Sequence, residues 1–145
     1  MESQIEMMLR GSRFKKMITD QLAEVRIKYG LRRVEAETVY YLSNCGEKNT
    51  LKDVAYHLGM NKGHISQALE KLCEQGYLIA VPDKSDRRYI HYLITDKGNL
   101  LSDEMKAVWM RMTQRIFEGV TEEQMRVLQE IASKIGENMN RILDE

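Results

Sequence analysis

The sequence has one proline and two cysteines in 145 residues. It also lacks any apolar run near the roughly 18 residues of a membrane span. Each shortage excludes a class. One proline beside nine glycines is no collagen-like composition. Cys45 and Cys73 stand 28 positions apart with no C-x-x-C, so no disulfide scaffold is expected, and a reducing cytoplasm is the expected setting. The first residues, Met1-Glu-Ser-Gln-Ile-Glu6, put acids where a secretory signal needs bases and an apolar stretch. Net charge is missing too: 22 basic residues balance 22 acidic ones. What is present is a 43% hydrophobic, 30% charged chain, too apolar and too balanced to stay disordered. Its length suits one domain, or one core with helical extensions, without help from disulfides or metal.

The zero net charge hides an asymmetry. Residues 1–35 carry a net +3, residues 50–98 a net +1, and residues 99–145 a net −3. All three histidines, His57, His64 and His91, fall in the 50–98 segment. Binding to a polyanion depends on the local patch rather than the total, so nucleic acid stays open as a partner.

Apolar spacing predicts the elements. Phe14, Ile18, Leu22, Val25 and Tyr29 form one stripe of a helix over 5–29, with Gly30 as its stop. A second helix is expected over 33–44, with Val34, Val39, Tyr40 and Leu42 mostly inward. Thr50 and Asp53 make a variant capping box before a short helix whose inner face is Leu51, Val54, Ala55 and Leu58. Gly59 ends it, and Asn61 caps a helix over about 62–75, pinned by Ile65, Leu69 and Leu72. The period then shortens. Tyr77–Val81 and Arg88–Ile94 read as strands around the turn-forming Pro82-Asp-Lys-Ser-Asp86. A long helix over 97–118 follows. Gly119 breaks it, and Thr121 with Gln124 caps a last helix striped by Met125, Leu128, Ala132, Ile135, Met139 and Ile142.

The expected fold class is mainly α with a small β-hairpin wing. A winged helix-turn-helix spans 33–98, and the long helices of 1–32 and 99–145 together form a dimerisation domain. Those terminal helices carry more apolar surface than one small core needs, which points to a homodimer.

Three motifs add a family. Leu72-Cys-Glu-Gln-Gly-Tyr-Leu-Ile79, Asp83-Lys-Ser-Asp-Arg-Arg88 and Leu93-Ile-Thr-Asp-Lys-Gly98 resemble the MarR family of bacterial transcriptional regulators. That family closes its recognition helix with leucine and glycine, then has a D-x-x-D-x-R wing tip and L-T-x-x-G. The resemblance implies a homodimer on a pseudo-palindromic double-stranded DNA operator, usually as a repressor, often released by a small phenolic ligand.

The expected reading face of the recognition helix is opposite Ile65, Leu69 and Leu72. Gln67 has the amide geometry for adenine, His64 could donate to guanine N7, and Ser66 could take either role. Lys62 and Lys71 suit phosphates, and so does the helix N-terminus. Gly63 would let backbone approach DNA, where the family more often has a small hydroxyl residue; a tolerated glycine at a helix start is the plainer account. Glu70 and Glu74 also face outward and are expected beyond the groove edge. On the wing, Asp86 and Arg88 share one face of an extended segment, so the carboxylate can aim the guanidinium at a narrow minor groove. Arg87 and Lys84 would take flanking phosphates. A bland alternative is an exposed ion pair of little worth.

Other readings are weaker. The family's peroxide sensors carry a reactive cysteine in the first helix and its zinc sensors have histidines on the fifth; this sequence has neither, so inert thiols, no metal and no cofactor are expected. Among ten methionines, Met7, Met8 and Met17 on the first helix and Met105, Met110 and Met112 on the fifth suit adaptable packing. Phe14, Tyr40, Tyr41 and Trp109 would line a ligand cavity between helices 1, 2 and 5, as the family implies. No phosphate loop, nucleophile elbow or metal-ligand motif suggests an enzyme. The competing function is a winged-helix protein-interaction module without DNA binding.

Overall fold

The computed structural model describes the backbone of residues 4–145 and side chains from residue 11 onward. Met7 and Met8 therefore lie outside the described side chains. The element order is α1 (Gln4–Lys28), α2 (Arg33–Leu42), α3 (Leu51–Leu58), α4 (Lys62–Glu74), β1 (Leu78–Pro82), β2 (Ile90–Ile94), α5 (Asp96–Ile116) and α6 (Glu122–Leu143). The chain divides into two compact units between Met110 and Arg111, so α5 runs from the first into the second.

The first unit is built around α4. Ile65, Ala68, Leu69 and Leu72 have no exposed surface, and Ile65, Leu69 and Leu72 share one core cluster with Val39 of α2, Val54 of α3, Leu78 of β1 and Leu101 of α5. Each of the isoleucine and leucine side chains contributes about 1.5–3 kcal/mol by leaving water. The short helices owe their limits to local hydrogen bonds. Thr50 Oγ1 accepts from the Asp53 main-chain N–H while the Asp53 carboxylate accepts from Thr50 N–H, closing the box at the start of α3. Gly59 ends α3 at φ +62°, a left-handed conformation that glycine adopts without penalty.

The hairpin pairs Leu78 with Ile94 through Pro82 with Ile90, antiparallel. Both strands start later than their composition predicts. Tyr77 is retained by the end of α4, where its N–H donates to Leu72 O at 2.9 Å. Arg88 and Tyr89 belong to the wing turn, because their N–H groups donate to Oδ1 and O of Asp86. A third edge flanks β2: Thr50 bridges to His91, and Tyr92 N–H donates to Asn49 O at 2.9 Å.

Gly98 sits where α5 crosses the hairpin's root. A Cβ there would come within 2.6 Å of both Tyr77 O and Ile94 Cγ1. Main chain cannot step aside as a flexible side chain can, so Gly98→Ala is expected to cost about 1–3 kcal/mol, read from urea denaturation.

The second unit carries α6, which the Thr121–Gln124 capping box starts. None of its residues is buried. Leu128, Ile131, Ile135, Met139 and Ile142 are all exposed, spaced three or four residues apart on one helical stripe. The methionines differ by position: Met105 and Met112 are buried, Met17 is half-buried, and Met110 is exposed.

Candidate nucleic-acid interface

The recognition helix α4 exposes the side opposite its buried row. Lys62, Gly63, His64, Ser66, Gln67, Glu70 and Glu74 are all exposed there. Asn61 caps the helix, its Oδ1 accepting from His64 N–H at 2.9 Å. That bond turns the Asn61 amide nitrogen to His64 Nδ1, 3.2 Å away. Nδ1 is then the acceptor, which leaves the other ring nitrogen of a neutral His64 as an N–H donor. At Gly63 an added Cβ would meet only Asn61 Oδ1, at 3.4 Å. Packing within the chain therefore does not demand glycine there.

Lys71 departs from its expected phosphate-facing role. Its ammonium lies 3.2 Å from Oε1 of Glu35, whose side chain is wholly buried at the start of α2. Glu35 also accepts from the Arg32 main-chain N–H and from Arg32 Nε, each at 2.8 Å. Burial works to raise the Glu35 carboxyl, but the bonds from Arg32 and Lys71 outweigh it and hold the group below the ordinary carboxylate range. The cluster fastens the C-terminal half of α4 to α2. A depressed folded value means this stabilisation is present above the unfolded-chain value of about 4.3 and lost as pH falls through the lower folded value. Glu35→Gln is therefore expected to cost about 1–3 kcal/mol at neutral pH. The difference from the parent should shrink in urea titrations repeated in strong acid.

The wing tip is a set of nested turns. Asp83 Oδ1 accepts from Ser85 N–H at 2.9 Å and Asp86 N–H at 3.1 Å. Asp86 in turn holds Arg88: Nε lies 3.0 Å from Oδ1 and an Nη 2.8 Å from Oδ2. The Arg88 side chain is nevertheless 88% exposed. Its bonds to Asp86 hold that carboxyl below its ordinary range and raise the guanidinium further. The result is an aimed, solvent-facing cation. Lys84 and Arg87 are exposed beside it.

Several residues escaped the sequence reading. Lys48, Lys52, Tyr56 and His57, with the expected Lys62, line a cleft of about 540 Å³ beside the start of α4. Lys52 also lines a second cleft, of about 240 Å³, with Arg88, Tyr89 and Tyr92. Lys52 thus links the head of the recognition helix to the wing in one basic strip. A single lysine on a short helix gives no sequence signal of this; only the fold brings it beside Arg88.

A separate cavity of about 470 Å³ opens between α1, α2, α3 and α5. Tyr40, Tyr41 and Trp109 line it, with Ile18, Leu22, Glu37, Asn44, His57, Leu58 and Met105. Phe14, expected here too, is not among the lining residues and is exposed one turn before Ile18. Periodicity puts Phe14 on the right stripe of α1, but the cavity's α1 wall begins at Ile18. Tyr41 stacks on His57 with centroids 4.4 Å apart, and its hydroxyl donates to Lys48 O at 2.8 Å. Glu37 is paired with Arg33 at 2.7 Å.

Cys45 and Cys73 are free and half-buried, and burial pushes both thiols up, away from reactive thiolate. Among the described residues, no group of three or more His, Cys, Asp or Glu is placed to hold a metal ion. None of the described helices is long and apolar enough to cross a membrane.

Known proteins share this arrangement. The family described as "Winged helix DNA-binding domain" matches residues 31–98. The HTH-type transcriptional regulator YkoM of Bacillus subtilis is 25% identical over 93 residues, 64% of this chain and 60% of that relative's length. Two solved structures match nearly throughout. CouR from Rhodococcus jostii RHA1, bound to p-coumaroyl-CoA, is 25% identical, with a TM-score of 0.70 over 92% of both chains. A MarR protein from Peptoclostridium difficile is 19% identical, with a TM-score of 0.76 over 97% of this chain and 90% of that one. The fold and the match to residues 31–98 define a winged helix-turn-helix protein of the DNA-binding class. Over nearly its whole length the chain's fold is similar to that of solved MarR proteins, and residues 31–98 match the winged helix DNA-binding domain.

Proposed function

We propose that the chain is a cytoplasmic, non-enzymatic repressor that binds a pseudo-palindromic operator as a homodimer and leaves it when a small aromatic ligand binds. The observation that carries DNA binding is Arg88: an almost fully exposed guanidinium already oriented by two bonds from Asp86. An oriented arginine loses less entropy on entering a narrow, electronegative minor groove. In this reading His64, Ser66 and Gln67 meet base edges in the major groove, and Gly63 lets the helix N-terminus come close. Lys52, Lys62, Lys84 and Arg87 take phosphates. Lys71 is left out, because Glu35 occupies it.

The unpartnered stripe of α6 supports the homodimer, together with the operator symmetry that the family resemblance implies. Residues 33–98 then form the DNA-binding part, and residues 1–32 with 99–145 the dimerisation part. For the ligand, the support is the aromatic cavity beside α2 and α3, and CouR's solved complex with p-coumaroyl-CoA. Selection of bound sequences from a random double-stranded DNA pool tests the reading. A pseudo-palindrome with half-sites roughly one helical turn apart is expected. A pool that stays random points to a protein-interaction module instead.

A further inference from the structure

We propose that His91 is a positioning residue for the wing, tying the turn that presents Arg88 to Asn49, the buried residue of the connection between α2 and α3. The proposal rests on the operator-binding reading above. His91 lies on β2 with a polar partner on each side of its ring. Nε2 lies 2.9 Å from Asp83 Oδ2 and Nδ1 lies 2.5 Å from Asn49 Oδ1; both partners are accepting oxygens, so the two bonds are made together by the ring form that carries an N–H on each nitrogen. Asn49 is buried, and its main-chain oxygen is held by Tyr92 N–H. The anchor on this side is thus part of the packed helix-turn-helix.

On the other side, Asp83 is the residue that shapes the tip. One of its oxygens takes His91 while the other takes the N–H groups of Ser85 and Asp86. Asp86 then grips Arg88. A continuous path of hydrogen bonds runs from Asn49 through His91, Asp83 and Asp86 to the guanidinium. The path matters because a two-stranded hairpin alone is marginally ordered in water. Any freedom at its tip must be given up when Arg88 enters a groove, and that loss weakens binding. The His91 tether removes much of that freedom beforehand. The Asp86–Arg88 pair aims the guanidinium relative to the turn; His91 aims the turn relative to the recognition helix.

A double-mutant cycle on DNA taken from the selection tests this. His91→Ala is expected to weaken binding about fivefold with Arg88 present, and to have no further effect in an Arg88→Ala background, because coupled residues are not additive. His91→Gln keeps an N–H near the Nε2 position for Asp83 but has none for Asn49, and is expected to recover only part of the affinity. Circular dichroism and thermal unfolding establish that each variant is folded. An equal loss with and without Arg88 would assign His91 a general structural role and overturn the proposal. So would a His91→Ala protein that binds as the parent does. If the parent itself fails to bind any selected DNA, the operator reading falls first, which separates that failure from failure of the tether.

Discussion

Arg88→Ala is expected to weaken operator binding by about a hundredfold while leaving the melting temperature unchanged. The estimate takes roughly 1.4 kcal/mol for each lost guanidinium contact, twice over for a symmetric dimer, which is two factors of ten. Stability should not move, because the side chain is solvent-facing and its ion pair with Asp86 is an exposed one. Arg88→Lys should recover only part of the loss. Lysine keeps the charge but lacks the planar fork that Asp86 holds through two different nitrogens. Fluorescence anisotropy with labelled operator measures both variants, and parent-like affinity for Arg88→Ala would remove the wing from the interface.

Ile131→Glu combined with Ile135→Glu is expected to convert the proposed dimer to monomers and to lower operator affinity by more than about a hundredfold. Both side chains stand on the exposed stripe of α6, about half accessible in the single chain. Burying an isoleucine is worth about 1.5–3 kcal/mol, and two-fold symmetry counts each position twice. Glutamates there would bring like charges together across a dry surface. The helix itself should persist, since glutamate is a good helix former and nothing in α6 is buried in the single chain. Affinity falls because the second half-site is no longer captured at the high effective concentration set by the first. Sedimentation velocity gives the mass and circular dichroism the helix content. A doubly charged variant that stays dimeric would place the interface elsewhere.

Most of the fold could be read from the sequence because its signals are short-range. The caps at Thr50, Asn61 and Thr121 each close over three residues, so the cap and its partner are visible in one glance at the chain. The buried row of α4 follows from a single period. The Asp86–Arg88 pair is two residues apart and emerged as expected, with the guanidinium outward. The contacts that the sequence reading did not show depend on distant partners. Lys71 reads as a surface cation until Glu35, 36 positions earlier, is folded against it. His91 reads as an ordinary strand residue until Asn49, 42 positions earlier, meets its ring. Lys52 acquires meaning only when α3 lies beside the wing. Phe14 shows the converse limit: helical spacing identifies a face, but not where along the helix a cavity begins.

The central claim is that a near-neutral chain presents a local cationic surface to DNA phosphates. The salt dependence of affinity for the selected operator tests it most directly. Each neutralised phosphate releases counterions, so log K should fall linearly with log salt, with a slope of about −0.9 per contact. With Lys52, Lys62, Lys84 and Arg87 engaged in both protomers, the slope should be steep, on the order of −7. A slope near zero on the same DNA would contradict the account, because no strip of lysines and arginines could then be lying against the phosphate backbone.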